Sequence, residues 1–230
     1  MTAAQWHLGR RKAGLTQVNA ARSLGVSQPY LSQLEKGLRV ASPELVCKAA
    51  ALYGVSAVAL PLPDLAAVRE VHADKLQEGL AGLGYPGFEH LRSDAVCNPA
   101  WVVLAAVAKR DLDMRVVEAL PWVLGAYVDL DWAWLRDQAK LLNAQNRLGY
   151  LVALATQTRH ASSTGGDTAS VLSGWLNELE EARLAGEGTL CRDSMPVAER
   201  AWLRTNRPEM AAHWNLLTSL AAGQLPYVEH

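Results

Sequence analysis

The sequence predicts an all-α chain in two parts, a small N-terminal domain followed by a larger helical bundle. Three observations carry that expectation. Helix caps and breakers recur along all 230 residues, while strand signals are nearly absent. The run Pro61-Leu62-Pro63 blocks helix and marks a boundary. Charge divides at the same place. Residues 1–60 hold seven Lys and Arg against Glu35 and Glu44, a net of +5, and the chain total of −1 therefore leaves −6 for the remainder. The expected domains are residues 1–60, a linker at 61–63 and an all-helical body at 64–230.

In the head, a first helix is expected from about Ala4 to Lys12, with Trp6 and Leu8 against the core. Thr16 caps a second helix, whose stripe is Val18, Ala21 and Leu24, and Gly25 ends it as a left-handed residue. Ser27 caps a third, which buries Leu31 and Leu34 and leaves Gln28, Ser32, Gln33 and Lys36 facing out before Gly37 stops it. Ser42-Pro43-Glu44 opens a fourth helix to about Tyr53, and Gly54-Val55-Ser56 caps a short fifth.

In the body, a helix is expected from Asp64 to about Leu83, closed by Gly84-Tyr85-Pro86-Gly87. Others start at Asn98-Pro99, at Asp111 with a bend near Pro121, and at Trp132, the last running to about Arg159 with Gly149 as a weak point. A loop at Ala161–Asp167 precedes a helix at about 169–185, an irregular stretch follows at Gly186–Asp193, and two more helices run to about Thr205 and Ala222. No internal repeat is visible.

Two helices joined by a tight turn, the second presenting amides outward, is the layout of a DNA-binding helix-turn-helix, whose second helix enters the major groove. The +5 charge of this domain is the footprint expected for phosphate contact. The fold class is therefore all-α, with an N-terminal five-helix helix-turn-helix DNA-binding domain and a larger helical-bundle domain.

Residues 4–60 resemble the phage-repressor/Cro-type helix-turn-helix family of transcriptional regulators. The resemblance rests on an Arg-bearing first helix, Gly14-Leu15-Thr16-Gln17, small Ala21, Gly25, Ser27, Leu31, and Glu35 before Gly37. Ala20 departs from the family's larger aliphatic, and Pro29 replaces a side chain able to bond a base. The resemblance implies that Gln17 bonds a phosphate and braces Gln28, and that Arg10 and Glu35 form a structural pair. Gln28 and Gln33 are the expected base readers, because an amide donates and accepts at once and so matches adenine; Ser32 is a lesser candidate. Lys36, Arg39 and Arg11 are expected to hold phosphates.

The body offers little for an enzyme. Its histidines are scattered without ligand spacing, Ser162, Ser163 and Ser173 lack a nucleophile setting, and no cofactor or metal is expected. Cys47, Cys97 and Cys191, odd in number and without a CxxC pair, read as reduced thiols. Seven of the eight Trp lie beyond residue 100. Trp132 and Trp134, two apart, cannot share one helix face, so one is expected at a dimer or partner surface; packing within the body is the rival reading. Asn146 and Arg147, followed by Leu148-Gly149-Tyr150-Leu151, resemble the C-terminal part of abortive-infection antitoxins, and this likeness implies a protein toxin partner; a polar patch packing internally is the rival reading.

No apolar run approaches the roughly 18 residues that cross a bilayer, and no charged-then-apolar leader precedes the first helix, so a cytoplasmic location is expected. The combined expectation is a sequence-specific regulator, a repressor binding an inverted-repeat operator in double-stranded DNA as a homodimer, either as the antitoxin of a toxin-antitoxin pair or, alternatively, as a ligand-responsive regulator whose body binds a small-molecule effector.

Overall fold

The computed structural model describes residues 1–91, 96–160 and 166–227. Among them the chain is all-α, with thirteen α-helices, short 3-10 turns and one pair of two-residue strands.

Four helices build the head: α1 (Ala3–Lys12), α2 (Gln17–Leu24), α3 (Gln28–Glu35) and α4 (Pro43–Tyr53). Their ends follow from local chemistry. The side chains of Thr16, Ser27 and Ser42 accept from Asn19, Tyr30 and Leu45 backbone N–H at 3.2–3.3 Å, each such cap contributing about 1 kcal/mol. Gly25 takes φ +71°, a backbone that a side chain would strain. Trp6, Ala20, Ala21, Leu24, Leu31, Leu34 and Tyr53 meet in a separate small core, where Trp6 sits edge-on to Tyr53. Two expected core positions lie outside it: Leu8 and Val18 are 57% and 55% exposed. Ala20 is inward instead, and Val18, two residues earlier, falls on the opposite side of the helix. The expected fifth helix is a single 3-10 turn, Ala57–Ala59, for which Ser56 makes no side-chain cap.

The body is built around α7 (Pro99–Val107), apolar on every side and buried at all but one position. It packs against α8 (Met114–Ala126) and α9 (Trp132–Leu141), while α10 (Gln145–His160) packs against both of these and against α11 (Gly166–Glu180). Pro121 is inside α8 without ending it. Asp113, not Asp111, caps that helix; Asp111 instead accepts from Ser194 backbone N–H at 2.7 Å. The stretch expected as one helix from Asp64 is two, α5 (Leu65–Glu70) and α6 (Ala73–Gly82).

The long helix expected from Trp132 is also two helices. It breaks at Asn143, which adopts φ +54°, a left-handed conformation that asparagine tolerates better than most residues. Gly149, read as a weak point, lies within an unbroken α10, and a Cβ there would sit 2.3 Å from the Trp214 ring. The glycine is what lets Trp214 press against the helix.

After α12 (Val197–Asn206) the last helix is short: α13 (Glu209–His213) ends before Asn215, at φ +54°. The chain then forms β2 (Leu216–Leu217), parallel to β1 (Gly188–Thr189) inside the stretch expected to be irregular. Part of the loop expected at 161–167 lies outside the described residues.

Gly149→Ala should therefore destabilise the body by about 1–3 kcal/mol, the usual cost of overpacking, although alanine is the better helix former. Denaturant unfolding of the full chain measures it; an unchanged or raised midpoint would mean that Trp214 moves aside without cost.

Candidate nucleic-acid interface

One carboxylate organises the head. Glu35, in the last turn of α3, has a side chain only 3% exposed and receives Arg10 Nε at 2.6 Å and Nη2 at 3.0 Å. Gln17 Nε2 donates to the same carboxylate at 2.9 Å, and His7 Nδ1 lies 3.1 Å away. Burial pushes Glu35 up, but the bonds from Arg10, Gln17 and His7 outweigh it and hold its pKa at about 2. Arg10 also donates to Leu15 O at 2.8 Å, so the connection between α1 and α2 is tied to the same point.

The network reaches the surface through Gln17. Its Oε1 accepts from Gln28 Nε2 at 2.7 Å, at the exposed start of α3. Each amide retains capacity: Gln17 one N–H, and Gln28 one N–H together with its carbonyl oxygen. The Gln28 set is the donor–acceptor pair that an adenine edge accepts in the major groove. Pro29 occupies the first turn of α3, where a missing N–H costs no helical bond.

A second contact joins two expected site residues. Arg39 Nε donates to Gln33 Oε1 at 3.0 Å, a bond that does not use the Gln33 amide N–H groups or the rest of the Arg39 guanidinium. Ser32 is half-buried on the same helix, and Lys36 is exposed at its C-terminal end. Arg11 is exposed in the last turn of α1. His7 is not among the site residues expected from the sequence. It stands three residues before Arg10 on one helix, a spacing that shares a face and was the available signal.

The expected partner residues of the body are placed differently, and two require correction. Asn146 is buried, its amide donating to Leu184 O and Trp214 O, each at 2.9 Å, while its oxygen accepts from Leu184 N–H at 2.8 Å. Arg147 donates to Thr189 O, Val107 O and Lys109 O at 2.7–3.0 Å and to Asp193 at 3.1 Å. Both side chains bond backbone carbonyls inside the body, which uses donors that a partner would need. Trp132 stacks on Trp175, with ring centroids 4.5 Å apart, and donates to Glu178 at 3.1 Å. Trp134 is half-buried against the body core. Both indoles are half-buried against the body core, Trp132 from the first position of α9.

Among the described residues no cluster of three or more His, Cys, Asp or Glu could hold a metal, and no helix is long and apolar enough to cross a membrane.

Comparison with known families agrees with the head. Residues 7–62 match the family described as helix-turn-helix domain, from the middle of α1 into the proline linker. The chain thus carries a helix-turn-helix domain, the class of module found in DNA-binding regulators. No curated protein and no solved structure matches the chain.

Glu35 gives the head a defined acid dependence. Its folded pKa of about 2 lies below the ordinary 4.5, so its contribution is complete above pH 4.5. That contribution shrinks as the unfolded chain takes up the proton first, and it is lost as pH falls through about 2. Glu35→Gln should lower head stability at pH 7 by about 3–5 kcal/mol, since it strands the Arg10 charge, and should flatten the slope between pH 4.5 and 2. Hydrogen exchange of the α1–α3 amides in the full chain across that range is the check; a parallel slope in the variant would mean that the carboxylate is solvated.

Proposed function

We propose that the protein is a sequence-specific DNA-binding regulator, a repressor that reads an inverted-repeat operator as a homodimer. The observation that carries this reading is the Arg10–Glu35–Gln17–Gln28 chain of bonds, which ends in a positioned amide at the start of α3. Gln28 and Gln33 read bases, with Ser32 beside them, and Gln17, Lys36, Arg39 and Arg11 hold phosphates. One head spans only a few base pairs, and two-fold pairing of the bodies supplies the rest of a site. The body's charge of −6 keeps it off DNA. The protein is read as a cytoplasmic binding protein without catalytic function.

A second reading, an effector-responsive regulator, has one feature in its favour. A cleft of about 630 Å³ lies between α10, α11 and α13, walled by Leu154, Leu176, Met210 and Trp214, with Gln157 and Asn177 among its polar groups. Its size and mixed lining suit a small organic molecule. The antitoxin reading has no equivalent support, because Asn146 and Arg147, which opened the likeness, are spent inside the body.

Selection of bound duplexes from a random pool by the full chain should return an inverted repeat with half-sites about 10 base pairs apart, or a multiple of one DNA turn. Recovery of no preferred sequence would end the reading.

On that operator, Gln28→Ala and Gln33→Ala should each lose roughly 1–3 kcal/mol of discrimination at one base pair per half-site. Lys36→Ala should weaken binding to all sequences alike and reduce the salt dependence by about one ion. Uniform weakening in the glutamine variants, or an unchanged salt slope in Lys36→Ala, would reassign those side chains.

A further inference from the structure

The cleft between α10, α11 and α13 divides by chemistry. Its buried lining residues are Tyr150, Ala153, Leu154 and Trp214, and half-buried Leu176 and Met210 add to the apolar wall. The Tyr150 hydroxyl donates to Leu220 O, outside the lining, so its ring is what a ligand would meet. Every exposed lining residue is polar: Gln157, Asn177, Glu180, Glu209 and His213. Among the described residues no Lys or Arg lines the cleft. Its two carboxylates differ in what they meet. Glu180, the last residue of α11, is bonded to His213 Nε2 and lies 3.5 Å from Arg183 Nε, while Arg183 also donates to His213 O. Glu209, in the first turn of α13, makes no hydrogen bond or ion pair among the described residues. Glu180 therefore has a counter-charge supplied by the fold, and Glu209 has none.

We propose that this cleft binds an amphipathic organic cation, an apolar body that carries one ammonium group, with the body on Leu154, Leu176, Met210 and Trp214 and the ammonium on Glu209. The proposal rests on the effector reading of the cleft and gives its ligand a chemical class. The apolar wall attracts any hydrophobic body by the area it removes from water, and so does not choose between charges. The choice comes from the polar edge. A cleft lined by carboxylates without a basic residue concentrates potential of one sign, which draws a cation and repels an anion. The net −6 of the body acts in the same direction. A primary ammonium has three N–H donors, and the Glu209 carboxylate with the side-chain oxygens of Gln157 and Asn177 offers three acceptors on that edge. Glu180, already paired, contributes less.

Calorimetric titration of the full chain with three probes on one skeleton tests this: naphthylmethylammonium, the neutral naphthylmethanol and the anionic naphthoate. The expected order of affinity is ammonium, alcohol, carboxylate, with the ammonium ahead of the alcohol by about threefold to tenfold, the yield of one charged contact at a wet edge. Glu209→Gln should bring the ammonium down to the level of the alcohol. Asn177→Arg, which places a cation on the same edge, should weaken the ammonium and strengthen the carboxylate. Both positions are exposed, so neither change disturbs the core. Alcohol or carboxylate binding as tightly as the ammonium would overturn the cation class and leave an effector cleft of another specificity. An ammonium affinity that neither variant alters would place the probe elsewhere and overturn the proposal. Absence of binding by all three probes at millimolar concentration would end the effector reading together with it.

Discussion

The ion pair between Arg10 and Glu35 is the constraint on which the rest of the head depends. A carboxylate 3% exposed is costly unless its lone pairs are met, and here three side chains meet them, from Arg10, Gln17 and His7. Those residues come from α1 and α2 while Glu35 ends α3, so a single carboxylate ties the three helices together. Arg10 adds the backbone at Leu15 to the same junction. Such a pair is weak evidence for stability, because burial takes back much of the Coulombic gain. Its larger effect is on geometry: the helices can satisfy the buried charges in one arrangement and leave them stranded in others.

That geometry bears on recognition through side-chain entropy. A free glutamine loses rotamer freedom when it orders on a base, and a glutamine already held by a neighbour loses less. Gln28 is held by Gln17, and Gln33 by Arg39, so both base-reading candidates belong to pairs whose other member is a proposed phosphate contact. Positioning and reading are thereby coupled within each pair. On the proposed function, a change at Gln17 or Arg39 acts on the neighbouring amide as well as on its own proposed phosphate contact.

The head was legible in the sequence because its constraints are local. Caps at Thr16, Ser27 and Ser42 and a left-handed Gly25 each act within a few residues, and the stripe Leu31–Leu34 follows from helical spacing. Failures cluster in the body, where distant contacts decide. Asn143 breaks a helix at a position that composition does not mark, and Gly149 reads as a breaker until Trp214 is seen against it. Asn146 and Arg147 looked like a polar patch because the carbonyls they serve, at Leu184, Trp214, Val107 and Thr189, come from remote segments. Two-residue strands such as Gly188–Thr189 and Leu216–Leu217 carry no periodic signal.

The central claim is that the buried carboxylate network positions the reading amide. A double-mutant cycle between Gln17 and Gln28, read as discrimination at the base pair that Gln28 contacts, tests it most directly. The account predicts that Gln17→Ala alone erodes discrimination at that same base pair, and that the double variant is little worse than Gln28→Ala. Strict additivity, with Gln17→Ala weakening all sequences equally, would contradict it and reduce Gln17 to a phosphate contact that has no part in positioning Gln28.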